Sequence, residues 1–221
     1  MNGRCFDIGI TTSGALSNYV TEKNALTSGD RSDDASGNGS IMRLAPVPIR
    51  YAHLYAGQLD ELSRLAEESS LPTHASDQCV SACRYLATVL AALIHGEDRE
   101  KILSPEWQPL KQLNDIKPLN SLIQEIAQGS FRKKKPPAIK GSGWVVKSLE
   151  ASLWAFHESD NFEEAVLKAV NLGDDADTRE QSAGSWPERI GVSPESLSRC
   201  GRAWHGRTCW RRRWRGFWVS D

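Results

Sequence analysis

Residues 76–95 constrain this chain more than any other part of it. Val80, Cys83, Leu86, Val89, Leu90 and Leu93 recur there at helical spacing, and alanines fill the gaps, the pattern of a helix with an apolar side. Ser76 or Asp77 is placed to cap its start and Gly96 to end it. Small oxygen side chains accept from the first free N–H groups of a helix, and glycine adopts the left-handed turn that closes one. Shorter stretches repeat the pattern. Residues 58–68 bring Leu59, Leu62 and Leu65 to one side, and 119–128 bring Leu122, Ile123 and Ile126 together, with Gly129 as the stop. Residues 145–157 carry Val146, Leu149, Leu153 and Phe156, and 161–172 carry Phe162, Ala165, Val166 and Val170 before Gly173. Residues 27–40, rich in Ser, Asp, Gly and Asn, and 131–143, with Lys133 to Lys135, Pro136 and Pro137, read as loops. No segment alternates at period two, so the sequence predicts an all-α body.

A chain of 221 residues is long enough for one domain with a sizeable core. Its formal net charge of −1 excludes no partner, but the charge is unevenly spread. The nine Arg, no Lys and four acids that follow Thr178 make that tail basic, while the preceding part is acidic. Such a break marks two segments with different histories. The five cysteines, Cys5, Cys79, Cys83, Cys200 and Cys209, match no zinc spacing. Cys79 and Cys83 read as small buried residues on one helical face, and reduced thiols point to a cytoplasmic protein. No apolar run is expected to reach membrane-spanning length, and Met1 leads into polar sequence without a signal peptide.

Four groups of residues have the chemistry of a site. Gly173-Asp174-Asp175-Ala176-Asp177-Thr178 clusters carboxylates and a hydroxyl after a helix stop. Hard cations such as Mg²⁺ take oxygen ligands, so Asp175, Asp177 and Thr178 could hold one. An acidic turn capping the next helix is the plainer alternative. In the stretch from Ser36 to Arg43, Gly37 and Gly39 flank Asn38. This allows backbone N–H groups to approach a phosphate closely, or simply makes a tight turn into a helix. His74, after Thr73, could meet a phosphate or ribose, or be a capped or solvated residue. Trp144, after Gly141-Ser142-Gly143, could stack on an adenine or ribose face, or anchor a helix start as a core tryptophan.

Taken in order, these pieces resemble the ADP-ribosylglycohydrolase family, of the dinitrogenase-reductase-activating glycohydrolase type. The matching stretches are 3–9 (GRCFDIG) followed by Thr11-Thr12, 37–48 (GNGSIMRLAPVP), 69–74, 143–156 (GWVVKSLEASLWAF) and 173–178 (GDDADT). The resemblance implies an all-helical hydrolase that cleaves the N- or O-glycosidic bond of ADP-ribosylated substrates, its cleft holding a pair of magnesium ions. It implies that Asp175, Asp177 and Thr178 are metal ligands, and that Gly37, Asn38, Gly39 and Met42 cradle ADP-ribose. His74 would lie near the diphosphate and distal ribose. Trp144 would stand where the family often has Tyr, near the substrate cleft. In the family's mechanism water attacks the anomeric carbon with help from an acid, and no catalytic residue is assignable in this chain.

Two departures shape the expectation. The family normally carries one more helical layer before this point, with a Thr-Asp-Asp motif that supplies the remaining metal ligands. Residues 1–178 therefore read as an incomplete domain with a partial metal site and impaired turnover, or as a catalytically dead remnant that binds ADP-ribose. After Thr178 the family continues into a helix of small residues, whereas this chain has Arg179-Glu180-Gln181-Ser182. Back-translated with GC-rich codons and read two bases later, residues 179–188 yield the family-type helix, so 179–221 are expected to be a frameshifted, disordered tail. Trp210-Arg211-Arg212-Arg213-Trp214-Arg215 mixes cations with aromatics as a nucleic-acid binder would. The absence of Lys and the Pro-Glu interruption weigh against that reading.

Overall fold

The computed structural model describes residues 8–173. Those residues form α-helices joined by short 3₁₀ turns and loops: α1 (Ile10–Glu22), α2 (Gly39–Met42), α3 (Pro46–Tyr51), α4 (Leu59–Ser70), α5 (Asp77–Ile94), α6 (Arg99–Ile102), α7 (Gln108–Ile116), α8 (Ser121–Ala127), α9 (Val145–His157) and α10 (Phe162–Val170). Extended pairing among them is limited to two isolated bridges, Asp30 with His74 and Gly37 with Trp144. The expected all-α body is found. The expectations for Asp175, Asp177, Thr178 and the 179–221 tail lie outside the described residues.

The 76–95 stretch is the central element. Every residue of α5 from Gln78 to Leu93 is buried, and α2, α3, α4, α6, α7, α8 and α9 all pack on it. Of the two candidate caps, Ser76 does the work: its Oγ accepts from the Cys79 N–H at 3.3 Å. The other end closes on Gly96, at φ +81°. Gly96 N–H donates to Leu93 O at 2.9 Å and Glu97 N–H to Ala92 O at 3.0 Å, the paired bonds that satisfy the last carbonyls of a helix. By length and composition α5 could cross a membrane, contrary to the expectation that no run reaches that length. Its apolar surface is instead spent on the core, with 89% of the stretch buried.

A buried cation ties the helices below α5 together. Arg84, fully inside the core, donates from Nε to Ser63 Oγ at 2.7 Å. Its Nη2 donates to Leu113 O at 3.0 Å and Lys117 O at 2.9 Å. Those carbonyls end α7, where a cation complements the helix dipole. In α9, Glu150, also buried, accepts from Ser130 Oγ and Lys134 Nζ at 2.6 Å each and from Lys147 Nζ at 3.2 Å. Burial alone would raise its pKa, but these partners hold the carboxyl below its usual range. The 130–134 turn is thereby fastened to α9, whose N-terminal end borders the site.

Candidate functional site

The glycine-flanked loop at Asn38 is locked from three sides. Its backbone pairs with the residues that lead into α9: Asn38 N–H donates to Gly143 O and Val145 N–H donates to Ser36 O, both at 2.9 Å. The Asn38 side chain reaches the same segment, donating to Ser142 O at 3.2 Å and, more weakly, to Ser148 Oγ at 3.5 Å. Toward α5, Ser36 Oγ donates to Ser76 Oγ at 2.8 Å and Cys79 Sγ to Gly37 O at 3.2 Å. On leaving the loop, Asn38 O accepts from Ile41 and Met42 N–H groups and starts α2. The loop is thus a turn into a helix, as the plainer reading had it, and it also lies against the N-terminal ends of α5 and α9.

His74 forms the third side. Only 3% of its surface is exposed, which overturns the alternative of a solvated residue. Its Nδ1 is 2.6 Å from Thr73 Oγ1, and the rest of the ring lies against the glycines. A Cβ on Gly39 would meet the His74 ring at 2.8 Å from Cε1 and 3.0 Å from Nε2, and one on Gly37 would stand 3.2 Å from Nε2. Gly39 is therefore needed because the imidazole takes the space a side chain would fill, and at Gly37 a side chain would fit only tightly. Burial, reinforced by the positive charge of Arg43, pushes the His74 pKa down to about 4, so the ring is neutral at physiological pH. Its backbone is held by Ser70, whose Oγ donates to His74 O at 2.6 Å, and by the bridge through Ala75 N–H to Asp30 O at 3.0 Å.

Arg43, beside Met42, closes the back of the site. Its guanidinium donates to Ser69 O at 3.0 Å and Ser70 O at 3.4 Å, capping the end of α4. Met42 is half-buried at the end of α2. Trp144 is the N-cap residue of α9, so it stands at the helix start as the plainer reading had it, but at 37% exposed it is not a core residue. Its indole N–H donates to Gln78 Oε1 at 2.6 Å. The structure therefore brings Gly37, Asn38, Gly39, His74 and Trp144 into one constellation, with Met42 on the helix that leaves it.

Sequence reasoning missed Gln78, Ser148 and Gly29. Nothing in a helix pattern separates Gln78 from any other residue of α5's first turn. Gly29 is demanded by space, since a Cβ there would fall 2.2 Å from Leu71 O, but a Ser-Gly-Asp run reads only as a turn. Among the described residues no group of three or more His, Cys, Asp or Glu could hold a metal ion. Asp33 and Asp34 lie exposed on a single 3₁₀ turn.

A family model, ADP-ribosylglycohydrolase, matches residues 1–186. The chain belongs to the ADP-ribosylglycohydrolase family. It is 37% identical over 183 residues to the ADP-ribosylarginine hydrolase Tri1 of Serratia proteamaculans (strain 568), covering 83% of this chain and 46% of that protein. To the ADP-ribosylarginine hydrolase Tri1 of Pseudomonas putida (strain GB-1) it is 36% identical over 209 residues, covering 93% and 53%. A solved chain described as an ADP-ribosylglycohydrolase-related protein complex superposes with a TM-score of 0.67 at 30% identity, covering 86% of this chain and 62% of that one. The chain thus spans about half the length of the two hydrolases it resembles.

Proposed function

We propose that the loop at Gly37, Asn38 and Gly39, with Met42, His74 and Trp144, is part of a site for ADP-ribose. The chain then serves hydrolysis of ADP-ribosylated substrates, arginine-linked ones first among them because both named relatives are ADP-ribosylarginine hydrolases. One observation carries the reading: the glycine loop is bonded to the N-terminal ends of α5 and α9, through Ser36 to Ser76 and through Gly37 to Trp144. Helix N-termini carry positive partial charge and free N–H groups, which suits a diphosphate. Neutral His74 supports the loop without adding a charge of its own.

Asp175, Asp177 and Thr178 have the oxygen donors that magnesium takes, and they follow the Gly173 helix stop. When bound, the ion would supply a fixed positive charge beside the ribose and diphosphate. The chain's own described residues do the binding: Asn38 holds the loop's shape, and Trp144 offers an aromatic face beside it. No side chain here is assigned as the acid that assists departure of the acceptor.

Calorimetric titration of the full chain with ADP-ribose, with and without Mg²⁺, tests the proposal, followed by release of ADP-ribose from an ADP-ribosylated arginine peptide. Binding that strengthens with Mg²⁺, and loses that dependence in Asp175→Ala and Asp177→Ala, is the expected outcome. Binding without release supports a protein that retains the ligand and not the turnover. No binding under either condition refutes the assignment.

A further inference from the structure

We infer that Gln78 is a positioning residue for the nucleobase end of the ligand, acting through Trp144; this rests on the ADP-ribose reading of the site. The backbone of Trp144 is fixed by the bridge to Gly37, and its N–H by Ser142 Oγ at 3.1 Å. The backbone leaves the ring free to turn about its side-chain bonds. The bond from the indole N–H to Gln78 Oε1 at 2.6 Å selects one orientation of the partly exposed ring. Gln78 is itself 8% exposed and sits in the first turn of the most deeply buried helix, so the acceptor is anchored to the core.

The chemistry of the pair is directional. An indole has one polar group, a donor, so only the carbonyl end of the carboxamide can serve it. With that donor satisfied inside the protein, the exposed part of Trp144 presents a π-face and its apolar edge. A planar base stacks on such a face. A ring held in advance in one orientation spares the ligand the entropy of ordering it. Gln78 touches no ligand in this scheme; it decides where the stacking face points, next to the loop where the diphosphate lies.

The test uses ¹⁵N-labelled full chain and reads two quantities. Trp144→Phe identifies the Trp144 indole N–H resonance by its loss. Gln78→Leu should shift that resonance and speed its exchange with water, and should weaken ADP-ribose binding by about three- to tenfold, the worth of one hydrogen bond. Gln78→Glu keeps an acceptor and should restore both quantities toward those of the unsubstituted chain, which separates loss of the contact from loss of folding. In a Trp144→Phe background, Gln78→Leu should cost nothing more. An unmoved resonance in Gln78→Leu, or equal losses of affinity in both backgrounds, overturns the inference while leaving the ADP-ribose site intact. Failure of the unsubstituted chain to bind ADP-ribose overturns the site reading, and the inference with it.

Discussion

At the scale of single residues, His74 joins sequence to site most tightly. The family likeness marks the position, but its burial was not legible, because a histidine after a threonine looks the same whether it faces water or a core. The reason lies in residues distant in sequence: Gly37 and Gly39 leave the space, and Arg43 and Ser70 close around it. Gln78 and Gly29 were illegible for the same reason, each being defined by a partner that only the fold supplies. The depressed pKa of His74 has a thermodynamic consequence. A histidine held neutral at about 4 in the folded state, against roughly 6.5 when unfolded, takes up its proton more readily in the unfolded chain. Its contribution is therefore intact above the unfolded value and is lost as pH falls from about 6.5 toward 4. The loss across that window is on the order of 2–3 kcal/mol. Urea denaturation at pH 7 and pH 4.5 should show a smaller drop for His74→Gln than for the unsubstituted chain, and equal drops would rule out this role.

At the scale of elements, α5 and α9 were readable almost to the residue, because each combines a long apolar stripe with a clear boundary. Register was harder. In α10 the sequence favoured Phe162, Ala165, Val166 and Val170 as the inward face, yet Ala165 and Ala169 are the buried pair and the bulkier residues are half-exposed. Close approach to α9 selects small side chains, which a hydrophobicity pattern ranks low. Helices α1 and α7 went unread: α1 buries only Ala15, and α7 has just Leu110 and Leu113 inside. The cap of α5 was legible, with Ser76 before a long stripe, whereas Asn161 was not read as the cap of α10; the two caps now separate stability from site geometry. Asn161 Oδ1 accepts from Glu164 N–H at 2.8 Å as the cap of α10. Ser76 caps α5 and also receives the Ser36 hydroxyl. Each alanine substitution should cost about 1 kcal/mol in chemical denaturation. Ser76→Ala alone should also weaken ADP-ribose binding, because it removes the hydroxyl tie of the glycine loop to α5 and leaves it the weaker thiol bond from Cys79. Equal effects of the two substitutions on binding would show that the loop does not depend on that tie.

At the scale of the whole molecule, burial is steeply graded. Around α5 the core is continuous, from Ile41 and Leu44 through Leu62, Leu86 and Leu90 to Leu149 and Leu153. At the other extreme α1 leaves Ile10, Leu16, Tyr19 and Val20 exposed. Its side chains reach the loop that follows through Asn18 Nδ2, which donates to Ser28 O at 3.1 Å, and Glu22 Oε2, which accepts from Thr27 Oγ1 at 2.9 Å. A helix of 13 residues with so little packing is marginal by itself, since isolated helices of that length gain too few bonds to repay nucleation. Local opening should therefore follow the same gradient as burial. In hydrogen–deuterium exchange of the full chain, α5 amides between Leu86 and Leu93 should exchange roughly a hundredfold or more slowly than those of α1. The site would sit between these limits, its loop borrowing rigidity from α5 and α9 while the segment at Ser28 and Gly29 meets the loosely held helix. Exchange in α1 as slow as in α5 would mean that its apolar residues are covered in solution, and that the gradient is not a property of the chain alone.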